Sequence, residues 1–229
     1  MEIQPQIATP REMHRILLTS VAPRPIAWVS SINKEGRPNL APHSYFNMIC
    51  TDPAVLGFSS ARRQGEDRRL LGAEGLKDTI RNIRETGEFV VSMVTYGLIE
   101  PMNLTSGEYD SSVNEFEVAR LTMAPSTFVR SPRVGESPIS FECKVHQILE
   151  FGTAEIGGTL VLGSIVNVHL EEEILTDGKI DASKIDFVAR MGGRLYCRTT
   201  DRFEMTRPQR PLHFEKEPIP PPATLPQKR

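Results

Sequence analysis

The side chains best suited to chemistry in this chain are hydrogen-bond donors that fall in two short segments. Lys77-Asp78-Thr79 opens a segment with helical spacing, and a lysine beside the N–H groups of a helix N-terminus suits a phosphate. The other segment, residues 39–47, reads Asn-Leu-Ala-Pro-His-Ser-Tyr-Phe-Asn. Pro42 predicts a strand edge or bulge, where free backbone groups could meet the edge of a planar heterocycle. Each segment also has a plain interpretation, as a helix cap and as an irregular edge strand.

Other reactive side chains show weaker patterns. His43 could donate a proton, although we expect a surface histidine. The five histidines lack metal-ligand spacing, and the three cysteines are far apart with no Cys-x-x-Cys pair. The arginines at 62, 63, 68 and 69 could meet a nucleotide phosphate, but with Glu66 and Asp67 they are also typical of a solvated loop. We therefore expect no metal and assign no catalytic acid, base or nucleophile.

The overall composition is that of an ordinary globular protein, and the small net charge produces no strong electrostatic field. The chain has 229 residues, 39% hydrophobic and 24% charged, with a net charge of −2. That charge favours neither a nucleic-acid nor an anionic-membrane partner. The apolar runs are too short to span a bilayer, and no signal-like start is present. The cytoplasm is the expected compartment.

The elements that must position the donors are mostly strands. Thr9-Pro10-Arg11-Glu12 is a capping box that predicts a helix over 10–18. Strands at 25–33, 39–49 and 54–59 predict an antiparallel meander, and a helix at 78–85 should end at Gly87. We also expect a hairpin near 156–158, a loop over 60–76 and two short helices within 97–117. Further strands are predicted at 88–95, 138–150, 159–169 and 203–205.

This order of elements, without β-α-β alternation, predicts a mainly β fold: a small antiparallel barrel with peripheral helices. We assign residues 1–206 to that domain. Seven prolines in the last 22 residues mark 207–229 as an extended proline-rich tail.

The ordered motifs resemble one known family. They begin with Arg24-Pro25-Ile26-Ala27-Trp28-Val29, continue through residues 36–47 and Asp52-Pro53, and reach Lys77-Asp78-Thr79 with Asn82-Ile83. Later matches are at 88–91, 102–103, 115–116 and 189–193, with Tyr196. Over about residues 10–206 the chain is similar to the flavin-reductase-like proteins. The loop over 61–76 is longer than that family's pattern predicts.

The resemblance implies an FMN-binding split β-barrel, normally a homodimer with one flavin per subunit near the interface. Family members include flavin reductases that serve two-component monooxygenases and flavoredoxin-type electron carriers. The resemblance places Asn39, Ala41 and Ser44 along the isoalloxazine and ribityl chain with Asn47 nearby, Ser59, Ser60, Lys77 and Thr79 on the phosphate, and Arg190 and Tyr196 near the flavin.

The reaction expected from the resemblance is NAD(P)H-dependent flavin reduction, with NADH or NADPH as reductant. The sequence has no Gly-x-Gly-x-x-Gly fingerprint, so a separate Rossmann site for the nicotinamide is not predicted. The alternatives are an FMN electron carrier reduced by a ferredoxin-type protein, and a flavin-binding protein without turnover.

Overall fold

The computed structural model describes residues 2–62, 75–153 and 157–206 of the chain. Most of the predicted arginine loop, the proline-rich tail and part of the hairpin near 156–158 lie outside the described residues. The helices are α1 (Pro10–Ser20), α2 (Asp78–Thr86), α3 (Ile99–Leu104) and α4 (Glu115–Val118). The strands are β1 (Ala27–Ile32), β2 (Pro38–His43), β3 (Tyr45–Thr51), β4 (Ala54–Ala61), β5 (Glu88–Met93), β6 (Met123–Ala124), β7 (Arg133–Val134), β8 (Ile139–Phe151), β9 (Gly158–Leu170), β10 (Leu175–Thr176), β11 (Lys179–Ile180), β12 (Val188–Gly192) and β13 (Leu195–Arg198).

Seven antiparallel strands form one sheet in the order β2-β1-β5-β8-β9-β4-β3. Only Ser44 separates β2 from β3 along the chain, yet these strands stand at opposite ends of the hydrogen-bonded order. The sheet must therefore curl until its two edges meet at Ser44. This confirms the predicted mainly β, split-barrel fold.

The predicted meander is wrong in its connectivity. The strand expected over 39–49 is two strands, because the chain breaks at Ser44 and leaves one sheet edge for the other. Pro42 lies on β2, which is a terminal strand of the sheet, as its missing N–H requires. The hairpins β1–β2 and β3–β4 are thus distant in the sheet order but joined in sequence.

The barrel interior is filled by alternate residues of the strands and one face of α2. Val29 of β1 and Phe58 of β4 pack there with Ile80 and Ile83 of α2, each burial contributing about 1.5–3 kcal/mol. Helix α2 ends where predicted, since Gly87 adopts the left-handed conformation with φ 71°. Its first turn is therefore held at the rim of the barrel.

A second apolar cluster covers the other side of β1 and β2. Trp28 and Leu40 are fully buried against Met102 of α3 and Phe116 of α4. The indole Nε1–H of Trp28 donates to Thr105 Oγ1 at 2.8 Å, which satisfies the one polar atom of that side chain. This cluster fixes α3 and α4, the two short helices expected within 97–117, beside the edge strand β2.

The helix predicted near the start of the described chain is confirmed, whereas the strand predicted near its end is wrong. The Thr9–Glu12 capping box is present and begins α1 as predicted. The strand predicted at 203–205 is wrong, because these residues form no strand and Phe203 is 84% exposed. No helix among residues 2–62, 75–153 and 157–206 is both long and apolar enough to cross a bilayer.

One buried carboxylate fastens the loop before β7 to the sheet. Glu142 on β8 is 0% exposed and accepts hydrogen bonds from the backbone N–H groups of Thr127, Phe128 and Val129 at 2.8, 2.6 and 3.1 Å. His169 contacts the same carboxylate at 2.5 Å. Burial alone would raise the pKa of Glu142, but these hydrogen bonds outweigh burial and lower it from 4.5 to about 2.

We expect Glu142→Gln to lower the free energy of unfolding at neutral pH by roughly 3 kcal/mol, since an amide cannot accept all these bonds. A pKa that is depressed in the folded state stabilises the fold above about pH 4.5 and loses that effect as the pH falls toward 2. The difference between wild type and variant should therefore shrink across that window in guanidinium titrations. Glu173→Gln, at an exposed position, is the control, and a difference independent of pH would contradict the account.

Candidate functional site

A cavity of about 340 Å³ opens beside β2, within the size range of ligand pockets. Its walls include β2, the first turn of α2, residues 105–109, the hairpin of β12 and β13, and the segment from Leu18 to Ile26. Residues distant in sequence meet here because β2 closes the barrel at Ser44. The cavity is the strongest candidate for a binding site in the described part of the chain.

One end of the cavity suits an anion. Lys77 is the N-cap of α2 and makes no side-chain cap, and Lys77, Asp78 and Thr79 all line the cavity, so a ligand there would meet a cation and the positive end of the helix dipole. Asn39 Nδ2 donates to Thr79 Oγ1 at 3.1 Å, which joins β2 to this turn and leaves the hydroxyl hydrogen to donate. The carboxylate of Asp78 pairs with Arg81. This set of donors is what a phosphate needs.

The opposite wall carries a cation on an aromatic ring. Arg190 Cζ lies 4.4 Å from the centroid of the Tyr196 ring, and the guanidinium donates to Tyr196 Oη and to the carbonyl of Gly193. The residues face each other across β12 and β13, so the strand register holds the pair. Two backbone hydrogen bonds, 2.9 and 2.8 Å long, tie Arg190 to Arg24.

Arg24 is a site residue that the sequence did not single out. It is only 6% exposed and lines the cavity. Its Nη1 donates to the carbonyls of Leu18 and Val21, whereas Nε and Nη2 have no hydrogen-bond partner within the described residues. Leaving buried charged donors unpaired is costly, so the cavity is suited to a ligand with acceptor oxygens. The sequence feature that could have pointed to Arg24 is its position between two prolines, Pro23 and Pro25.

His43 is buried, and the expectation of a surface histidine is wrong. It is 6% exposed, and its ring centroid lies 4.9 Å from that of Phe58. Alternation along β2 puts it on the same face as Asn39 and Ala41. Burial, and then the charge of Lys77, lower the pKa of His43 from 6.5 to about 3. The ring is therefore neutral at physiological pH, and its Nε2 has no partner among the described residues.

The structure brings most of the predicted site residues together. Those that line the cavity are Asn39, Ala41, Ser44, Lys77, Thr79, Arg190 and Tyr196.

Three predicted residues do not line this cavity: Asn47, Ser59 and Ser60. Asn47 is exposed on β3 and accepts from its neighbour's N–H, that of Met48. Ser59 and Ser60 are consecutive on β4, so their side chains point to opposite faces of the sheet, and Ser60 Oγ is buried without a partner in the described part.

The residues present fit a flavin mononucleotide. Donors for a phosphate lie at the Lys77 end, and buried guanidinium N–H groups lie at the Arg24 end. Between them, β2 runs from Asn39 to Ser44 over about 16 Å and lines the cavity with Asn39, Ala41 and Ser44. A cofactor with a phosphate, a polyhydroxyl chain and a ring rich in acceptors matches this sequence of donors. In contrast, no group of three or more His, Cys, Asp or Glu side chains within the described ranges is placed to hold a metal ion.

Comparison with known proteins agrees with this fit. The family model described as "Flavin reductase like domain" matches residues 19–184. The chain therefore belongs to the flavin-reductase-like family and is a flavin-binding oxidoreductase.

Two solved structures and one relative show how closely the chain follows that family. Nitrilotriacetate monooxygenase component B from Bacillus cereus superposes with a TM-score of 0.81 at 31% identity, covering 90% of this chain and 98% of that one. The 2-nitrobenzoate 2-nitroreductase of Pseudomonas fluorescens gives 0.76 at 31% identity, with 91% and 96% covered. An uncharacterized protein from Aquifex aeolicus is 36% identical over 187 residues, 81% of this chain and 89% of its own.

The neutral state of His43 can be tested directly. Because its folded pKa of about 3 lies below the ordinary 6.5, the unfolded chain takes up a proton first as the pH falls. Stability should therefore decrease with falling pH from about 6.5 toward 3. We expect the His43 ring resonances, assigned with His43→Phe, to stay constant between about pH 5 and 8. Titration of those resonances near neutrality would show that the ring is solvated.

Replacing Lys77 tests the anion end of the cavity. We predict that Lys77→Ala raises the dissociation constant of FMN about 10- to 100-fold, the effect of losing a charge-assisted hydrogen bond of roughly 1.5–3 kcal/mol. Fluorescence titration of the apoprotein measures it. Lys34→Ala removes an exposed lysine from the turn between β1 and β2 and should leave the constant unchanged. If Lys77→Ala behaves like that control, Lys77 is not in the site.

Proposed function

We propose that this protein is an NAD(P)H-dependent flavin reductase that passes electrons to a separate acceptor, such as a monooxygenase component. The observation that carries the proposal is the cavity itself, with the N-terminus of α2 and Lys77 at one end and, at the other, the buried guanidinium of Arg24, two of whose nitrogens have no partner among the described residues. The likeness to a monooxygenase component B over nearly the whole of both chains supports it.

Bound FMN would supply the redox chemistry, since its ring accepts a hydride from a nicotinamide and yields electrons to an acceptor. The chain's own residues bind and orient it. Lys77, Thr79 and the first turn of α2 hold the phosphate, while Asn39, Ala41 and Ser44 follow the ribityl chain and ring. We retain Asn47, Ser59 and Ser60 as proposed contacts outside the cavity wall. Arg190 and Tyr196 close the side opposite α2.

The cavity wall carries the cationic side chains Arg24, Lys77 and Arg190 beside the acidic side chains Asp78, Glu108 and Glu115. Arg24 and Arg190 offer guanidinium N–H donors and no acceptor, and His43 is neutral at physiological pH because of its low pKa. The guanidinium groups favour negative charge on a ligand inside a partly desolvated site. Binding, orientation and electrostatic tuning are thus the protein's contributions to the reaction.

We also propose a homodimer, because apolar side chains remain exposed on β3 and β9. Met48 is 64% exposed, Ile49 lies beside it, and Val166 and Val168 are exposed on β9. β3 is the terminal strand of the sheet, and an exposed apolar edge strand is normally covered. A second copy would bury this surface.

The reductase function is tested by anaerobic mixing of the FMN-loaded protein with NADH or NADPH. We expect the flavin absorbance near 450 nm, a value typical of flavins, to bleach with at least one nicotinamide. Failure with both would exclude the reductase function. Bleaching by a reduced ferredoxin-type donor alone would instead show an electron carrier.

Light scattering tests the dimer. The wild type should have twice the monomer mass at micromolar concentration, and Met48→Lys should shift it toward monomer by placing a charge in the apolar interface. The control is Lys179→Met, the reverse replacement at an exposed position on β11, which should leave the mass unchanged. A monomeric wild type would contradict the proposal.

A further inference from the structure

A second concave surface adjoins the flavin cavity along helix α1. Its lining includes Arg11, Glu12, His14 and Arg15, and it shares Leu18 and Gly193 with the cavity. The groove and the cavity therefore meet at the end of α1 that lies over the hairpin of β12 and β13. We call this surface the α1 groove.

Two contacts fix α1 in this position. The side chain of Arg24 donates to the carbonyls of Leu18 and Val21 at the C-terminal end of the helix. On β12, Gly192 approaches so closely that a Cβ there would lie 2.9 Å from the Leu18 carbonyl oxygen. The groove is therefore held to the same wall that carries Arg190 and Tyr196.

The charge of the α1 groove is positive. Arg11, His14 and Arg15 are spaced i, i+3 and i+4, which puts them on one face of the helix, and all three are exposed. The one acid of the groove, Glu12, accepts from the N–H and hydroxyl of Thr9 at 2.9 and 2.7 Å in the capping box. Its carboxylate is held by Thr9 at the start of the helix and also interacts electrostatically with Arg15, so the two exposed arginines leave the groove with a net positive charge.

We propose that the α1 groove binds the adenosine 2′-phosphate end of NADPH, with Arg11 and Arg15 on that phosphate, and that NADPH is preferred to NADH. The proposal rests on the proposed reductase function. Arg15 and Arg11 lie about 4.5 and 10.5 Å along the helix axis from Leu18, given the rise of about 1.5 Å per residue. A nicotinamide at the cavity mouth would thus have its adenosine end beside the arginines. Arginine is the usual residue for a 2′-phosphate, and the sequence lacks the Rossmann fingerprint that would place this end elsewhere.

Kinetics with the FMN-loaded protein test the preference. We expect the wild type to have a KM for NADPH at least about tenfold below that for NADH, as loss of one charged contact would predict. The variant Arg11→Gln/Arg15→Gln should raise the KM for NADPH about tenfold and change that for NADH less than about twofold. Glutamine keeps the helix propensity, and Lys179→Gln, which removes an exposed charge from β11, is the matched control.

Binding without turnover separates this inference from the reductase function. By calorimetry, adenosine 2′,5′-bisphosphate should bind the wild type more tightly than 5′-AMP, and the double variant should abolish the difference. Equal affinity for the two nucleotides, or an equal loss in Lys179→Gln, would overturn the inference even if both nicotinamides bleach the flavin. Binding of the bisphosphate without bleaching by either nicotinamide would support the groove but exclude the reductase.

Discussion

Closure of the barrel at Ser44 is the constraint on which the rest of the structure depends. One residue joins β2 to β3, although these strands are the two ends of a seven-stranded sheet. A flat sheet could not connect them, so the sheet curls. Closure then turns β2 toward the first turn of α2 and leaves its outer edge beside α3 and α4. The cavity lies where these elements meet beside the closed seam.

The site places one buried cation, Arg24, at the wall of the cavity, where burial makes an unpaired charge costly. Lys77, Arg24 and Arg190 line one cavity, and two nitrogens of Arg24 lack partners in the described part of the chain. His43 is neutral, because protonating its ring would place a positive charge in a buried position near Lys77. In contrast, Glu142 is buried as an anion only because it accepts several hydrogen bonds. The hydrogen-bonded charge of Glu142 stabilises the scaffold, whereas the two Arg24 nitrogens without partners in the described part are donors that a ligand could satisfy.

The sequence predicted correctly those helix ends that depend on interactions between residues close together in the chain. The Thr9–Glu12 capping box and the left-handed Gly87 each act within a few residues, and both helix ends are where the sequence placed them. The strand expected over 203–205 failed because alternation needs a partner strand, which no local pattern can supply. The break at Ser44 was missed for a similar reason, since it serves a closure between strands far apart in sequence.

The sequence by itself determined the class of fold, the family and most of the residues around the cavity, because motifs in a fixed order carry that information. Only the tertiary structure decided that Arg24 is a buried donor and that His43 is neutral, since burial is set by packing between distant segments. It also decided that Asn47, Ser59 and Ser60 lie outside the cavity wall. Residue types specify which ligand can be bound, whereas curling of the sheet decides which side chains reach it.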